Sequence, residues 1–184
     1  TRFGREVYMF FLITPPHETV ERAWRRGLEV GRYKAVDDTL AHNVEAYTGI
    51  PHLFFTWALR NDKHVHFEFL DNSVRQGQSP RTVAFGINNH LIVLDVARML
   101  DVDRYREINV NAHTPDEIFI HPTGQPVRSS AEFLRACVRR VPLVEFADAT
   151  TGDVYLRLEG GRCIYWDTAR ASLANSDAVA RSAV

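Results

Sequence analysis

Residues 6–13, EVYMFFLI, are apolar without alternation, the pattern of a central strand covered on both faces. The run stops at Thr14-Pro15-Pro16. Proline is tolerated at a helix start, where its missing N–H has no intrahelical partner to lose. PPHETVERAWRRGLEV then reads as a helix, with Val20 and Trp24 on a common face and Gly27 and Gly31 permitting breaks near its end. A second helix is predicted over DDTLAHNVEAYTG, residues 37–49, on the stripe Leu40, Val44 and Tyr47, with Gly49 as its stop. IPHLFFTWALRN continues as an apolar, helical segment packed on the core. KHVHFEFLDN, residues 63–72, alternates cleanly: Val65, Phe67 and Phe69 point one way, His64, His66 and Glu68 the other. It is the second predicted strand.

A polar loop, SVRQGQSPRT, follows, and NHLIVLDVARMLDVDRYREINV then carries a long helical pattern with Leu91, Leu94 and the stretch from Val96 to Leu100 as its apolar side. TPDEIFIHPTGQPV, residues 114–127, is broken by three prolines and reads as a linker. SSAEFLRACVRRV is a short helix with a serine cap. Two terminal strands, DVYLRL and RCIYWD, flank Gly160-Gly161 as a hairpin. Residues 168–184, rich in Ala and Ser, read as a frayed helix or a flexible tail, and no internal repeat is evident.

Strand, helix, helix, strand is the α/β pattern. The expected organisation is an α/β unit over residues 1–113, a partial parallel sheet flanked by helices. A small α+β appendage over 114–167 and a tail over 168–184 complete it. Two strands are few for such a sheet. The others are either hidden in the segments above or lie upstream of Thr1, where a chain that begins almost directly on a strand is expected to have its true N-terminus.

Composition alters this picture little. The 184 residues are 45% hydrophobic and 24% charged, with a formal net charge of −1, so nothing in the total favours general nucleic-acid or membrane-surface binding. Cys137 and Cys163 are too few for a disulfide framework or a cysteine metal site. A reducing cytoplasmic setting is expected, with no apolar run of spanning length.

Local charge matters more. ERAWRRGLEVGR, residues 21–32, holds Arg22, Arg25, Arg26 and Arg32. In a helix the first three stand at i, i+3 and i+4 and share one face, where like charges repel unless an anion compensates. Glu18, Glu21 and Glu29 offset part of this. A planar guanidinium donates two parallel hydrogen bonds to phosphate oxygens. The cluster is therefore either a solvated face or a phosphate clamp.

The order of these pieces carries a resemblance. A strand ending in Thr-Pro-Pro, a helix carrying Glu21-Arg22, the lid-like Gly31-Arg32, a DDTLAHNVEAY helix and a strand together resemble the C-terminal half of a zeta-toxin-like P-loop kinase, over roughly residues 5–110. The resemblance implies a P-loop-kinase-like fold and ATP-dependent phosphorylation of a small molecule such as a nucleotide-sugar, with magnesium. Arg22 and Arg32 would contact the transferring phosphates as catalytic residues, and Arg25 and Arg26 would assist in nucleotide binding. Asp71, Asn72 and Arg75, after the second strand, would approach the base. A toxin role would further imply an inhibitory partner protein. The chain departs from that pattern in two respects: it contains no G-x-x-x-x-G-K-[ST], the loop whose N–H groups cradle phosphate and whose hydroxyl holds magnesium, and the catalytic carboxylate that the resemblance implies is expected before the strand at residue 6, outside these residues. Turnover would therefore need a P-loop from outside these residues.

The rival class is a non-enzymatic module whose arginine face docks an acidic protein or RNA. Four further groups have ordinary readings. Asx residues after a strand commonly cap a turn, and His64, His66 and Glu68 share one strand face, as a metal pair would or as any half-exposed strand does. Arg135, Arg139 and Arg140 read as a solvated helix face or a contact with the main unit, and Tyr155, Tyr165 and Trp166 as a small satellite core. Nothing signals a serine or cysteine triad.

Overall fold

The computed structural model describes residues 6–173. Strands β1 (Val7–Ile13), β2 (Val65–Asp71), β3 (Arg81–Ile87), β4 (His90–Val93), β5 (Leu143–Ala147), β6 (Val154–Glu159) and β7 (Arg162–Trp166) form one sheet in chain order. The β1–β2 and β4–β5 pairs are parallel and the remaining neighbours antiparallel. Helices α1 (Pro16–Val30) and α2 (Val36–Ala58) fill the first crossover. Helix α3 (Val96–Arg104), a 3₁₀ turn (Pro115–Phe119) and α4 (Glu132–Arg140) fill the second, and α5 (Thr168–Leu173) follows β7. The fold is α/β, but its sheet is mixed where a mainly parallel one was expected. The extra strands are the β3–β4 hairpin, β5 and the β6–β7 hairpin, of which only the last, at Gly160-Gly161, was anticipated.

The expected long helix from Asn89 onward divides into β4 and α3. Asp95 separates them: its carboxylate accepts a hydrogen bond from Arg98 N at 3.0 Å, an N-cap that starts α3. Helix α2, by contrast, does not stop at Gly49 but runs through Gly49 and Pro51 to Ala58. Tyr47, Ile50, Phe54, Phe55 and Ala58 are all buried on its inner side. That tertiary burial outweighs the propensity cost of a glycine and the hydrogen bond that Pro51 cannot make.

Both crossovers proceed in the same direction across the sheet, so right-handed connections place their helices on one face. Phe54 of α2 and Phe133 of α4 stand at the centre of that layer. Phe54 meets Phe11, Phe67, Phe69 and Phe133 at ring-centroid distances of 5.0 to 6.1 Å. Strands β4 and β5 lie on either side of the boundary expected at 113/114, and Leu91, Val93, Val144 and Phe146 join the same core cluster. The stretch read as a linker contributes the buried Ile118 to a smaller cluster with Leu40, Ile108 and Ala112.

Among the described residues, no helix covers the opposite face over β1–β3. On β1 the outward residues Tyr8, Phe10 and Leu12 are 59%, 61% and 51% exposed, and β1 is the edge strand of the described sheet. The covering expected on both faces of EVYMFFLI is thus present on one. Further along, the same face becomes polar: Glu145 on β5 meets His90 Nε2 at 2.7 Å and Arg157 Nε at 2.6 Å.

Candidate functional site

The parallel pair β1–β2 ends at Ile13 and Asp71, where the chain leaves the sheet for α1 and for the β2–β3 loop. The backbone here is pinned from two directions. Tyr47 of α2 receives Thr14 N at 2.7 Å and donates to Thr14 O at 3.1 Å, while Asn72 Nδ2 donates to Thr14 Oγ1 at 3.2 Å. Pro15 and Pro16 are buried and start α1 directly at this point.

A groove of about 620 Å³ lies between α1 and the β2–β3 loop. Arg22, Arg25 and Arg26 line it from α1, and Asn72 and Arg75 from the loop. Five of the seven residues singled out in the sequence therefore meet in one place. Glu18, Glu21 and Glu29 line it as well, so four guanidinium groups face three carboxylates.

The four arginines are not equivalent. Arg22 Nη2 donates to Asn72 O at 2.7 Å and Val74 O at 3.0 Å and lies 3.0 Å from Glu18 Oε2. Through Nη2 it holds the β2–β3 loop onto α1, while among the described residues its Nε and Nη1 make no hydrogen bond. Arg25 pairs with Glu21 at 2.5 Å. Among the described residues, the guanidinium groups of Arg26 and Arg75 have no hydrogen-bond or ion-pair partner, and both residues are exposed. With Arg22 and Arg25 tied to Glu18 and Glu21, only Glu29 stands against these two.

Arg32 and Asp71 are not part of this groove. Gly31 caps α1 in the left-handed region at φ 70°, with its N–H bonded to Gly27 O, and Tyr33 then folds back over Gly27 and packs against Trp24 at 5.0 Å. A methyl at Gly27 would stand 2.6 Å from Tyr33 Cδ1, so this close return depends on glycine. Arg32 is left exposed on the turn.

Asp71 faces inward beneath the groove and is 1% exposed. It pairs with Arg81, lies 3.4 Å from Arg98 Nε, and accepts Ser73 N at 2.9 Å. Burial disfavours its charge, but the hydrogen bonds from Ser73 and Arg81 and the charge of Arg98 outweigh burial and hold its pKa below the ordinary carboxylate value. Arg98 continues to Asp101 at 3.0 Å, which also accepts from Tyr105 Oη at 3.1 Å. At Asp101 burial is the larger influence and raises the carboxyl. This network is a fixed electrostatic floor, and sequence reasoning missed Arg81, Arg98 and Asp101 entirely.

The donor set suits an anion. It does not suit magnesium: Glu18 and Glu21 are committed to arginines, and among the described residues no group of three or more His, Cys, Asp or Glu is arranged to hold a metal ion. On β2, His66 stacks on Tyr8 at 4.6 Å and Glu68 accepts from Thr82 at 2.5 Å. Among the described residues no helix is long and apolar enough to cross a membrane. Compared with protein-family models, curated proteins and solved structures, the chain finds no match in any of the three.

Proposed function

We propose that the groove between α1 and the β2–β3 loop binds the phosphates of a nucleotide, as one wall of a phosphotransferase site of the zeta-toxin-like kinase kind. One observation carries the reading: two unpaired guanidinium groups, Arg26 and Arg75, line a groove at the carboxyl ends of a parallel strand pair. Arg26 and Arg75 meet the phosphate oxygens, Arg22 fixes the loop that presents Arg75, and Asn72 stands at the same rim. This shifts the ligand-contacting role from Arg22 and Arg32 to Arg26 and Arg75. ATP fits the charge of the groove. When bound, a nucleotide of this kind supplies the transferable phosphoryl group. A loop such as G-x-x-x-x-G-K-[ST], which these 184 residues do not contain, is needed to cradle the phosphates and hold magnesium. The acceptor and an inhibitory partner protein stay within the same proposal.

Thermal shift with ATP or ADP, at two salt concentrations, tests it. Stabilisation should grow as RT ln(1 + [L]/Kd) and saturate, and Arg26→Ala/Arg75→Ala should abolish it. Absence of any nucleotide shift, with RNA binding that falls steeply with salt, would instead favour the docking-module reading.

A further inference from the structure

A second cationic groove, about 520 Å³ in volume, lies on the helical layer between the later turns of α2 and α4. Its walls are apolar along the middle, from Pro51, Phe55, Phe133 and Ala136. Cations stand at both ends. Arg139 and Arg140 line it from the last turn of α4, and Arg106 lies 4.0 Å from Glu132 at the first turn, with Glu132 and Arg139 about 10 Å apart along the helix at 1.5 Å per residue.

Three details distinguish this groove from an ordinary basic helix face. Arg140, although exposed, lies over the Phe55 ring, 4.0 Å from its centroid, which holds its charge at the groove wall. Arg139 has no hydrogen-bond or ion-pair partner among the described residues. Arg106 donates from Nη1 to Asp103 Oδ1 at 2.9 Å, yet its Nε is buried without a partner, and a buried donor left unpaired is costly unless something accepts from it. Against these cations the only carboxylate lining the groove is Glu132, 4.0 Å from Arg106. Asp103 is already committed, its Oδ2 accepting Phe133 N at 2.9 Å. The dipole of α4 accounts for arginines in its last turn. It does not account for the orphaned Nε at the other end or for the apolar walls between.

We propose that this groove binds a small organic phosphate. The phosphate sits between Arg139 and Arg140, and a flat apolar body lies along Pro51 and Ala136 towards Arg106. Two adjacent guanidinium groups favour a dianion over a carboxylate, because each planar fork pairs two oxygens. The site is separate from the groove of α1 and shares no residue with it.

Isothermal titration of the Arg26→Ala/Arg75→Ala chain, in which the other groove is silenced, tests the assignment with phenyl phosphate and inorganic phosphate as probes. Phenyl phosphate should bind about tenfold tighter than inorganic phosphate, since only it covers the apolar walls. Adding Arg139→Ala/Arg140→Ala should weaken phenyl phosphate by about tenfold or more. Glu132→Gln should tighten it severalfold by removing the one opposing charge, a gain that a purely structural role would not produce. The proposal is overturned by equal affinity for the two probes, by no measurable heat with phenyl phosphate, or by unchanged binding in the Arg139/Arg140 variant. Binding that appears only when Arg26 and Arg75 are intact would likewise overturn it and place the ligand in the α1 groove.

Discussion

Replacing Arg22 by alanine separates the role seen in the structure from the role its sequence context implies. The side chain donates to two carbonyls of the β2–β3 loop, at 2.7 and 3.0 Å, and pairs with Glu18 one turn back. Each bond from a charged donor is worth roughly 1.5–3 kcal/mol when shielded from water. The Arg22 side chain is 40% exposed, so solvent competition lowers this to about 1 kcal/mol per bond, and the helical ion pair adds about 0.3–0.5 kcal/mol. Arg22→Ala should therefore cost about 2 kcal/mol, or roughly 4–8 °C in Tm for a chain of this size. Urea denaturation gives the free energy. Native-state hydrogen exchange over residues 72–78 reports whether the loss is local, with faster exchange expected there than in β4 or β5. Arg22→Lys should recover only part of the loss, because its ammonium lies one bond nearer the backbone than the Nη2 that reaches both carbonyls. A Tm within 1 °C of the parent, together with unchanged loop exchange, would refute the clamp and return Arg22 to the pool of ligand-binding arginines.

Asp71→Asn should cost about 2–3 kcal/mol in urea unfolding, less than a fully isolated buried pair, because Arg98 retains Asp101 and Arg81 is largely exposed. Asp71 and Glu145 have pKa values below the ordinary carboxylate range, whereas burial raises Asp101 and Asp103. The first two contribute stability that is present above pH of about 4 and is lost as pH falls through their lower folded values. Asp101 and Asp103 act oppositely, costing stability at neutral pH and relieving that cost as they protonate above pH of about 4. Urea midpoints should hold or rise slightly from neutral to mildly acidic pH and then drop, and Asp71→Asn should reduce the drop. A thiol reagent should label Cys163 in the native state and Cys137 only on unfolding, since Cys137 is fully buried and its thiol pKa is pushed well up by burial. Phe10→Lys should change stability by less than about 0.5 kcal/mol while lowering the binding of an apolar dye, because its side chain is already 61% exposed; a larger loss would mean the β1 face is packed.

The elements with a single strong period were legible. Strand β2 alternates, α1 and α4 are amphipathic, and Gly160-Gly161 names its hairpin. What escaped was the stretch where two periods overlap. HLIV followed by LDVARML places apolar residues at helical spacing across a strand–helix junction, so β4 merged with α3 and its partner β3 was left in a loop. A signal was present: Asn88-Asn89 forms a two-residue turn, with Ile87 paired to His90 and Asn88 at φ 45°, and asparagine is among the residues that tolerate that conformation. Strand β5, five residues inside VPLVEFADA, lacked alternation because Val144, Glu145, Phe146 and Ala147 are all buried. Glu145 is satisfied there only by His90 and Arg157, which sit on neighbouring strands that sequence does not align.

The same reasoning explains why the arginine groove was half visible. Helical spacing of three and four residues put Arg22, Arg25 and Arg26 on one face, and that inference needed no tertiary information. The parity of β2 also carried more than was taken from it. If Val65, Phe67 and Phe69 point inward, Asp71 must follow them, and a buried carboxylate at the end of a core-facing row demands cationic partners. Arg81 and Arg98 supply them, ten and twenty-seven positions away along the chain. Which arginines remain free is a different kind of question. It depends on the loop carbonyls of Asn72 and Val74 lying within reach of Arg22, a distance set by how β2 ends and how α1 starts at Pro15-Pro16. A cluster of like charges in sequence therefore fixes where an anion site can form. The hydrogen bonds that consume some of those charges decide which stay free, and in this groove they leave Arg26, joined by Arg75 from the β2–β3 loop.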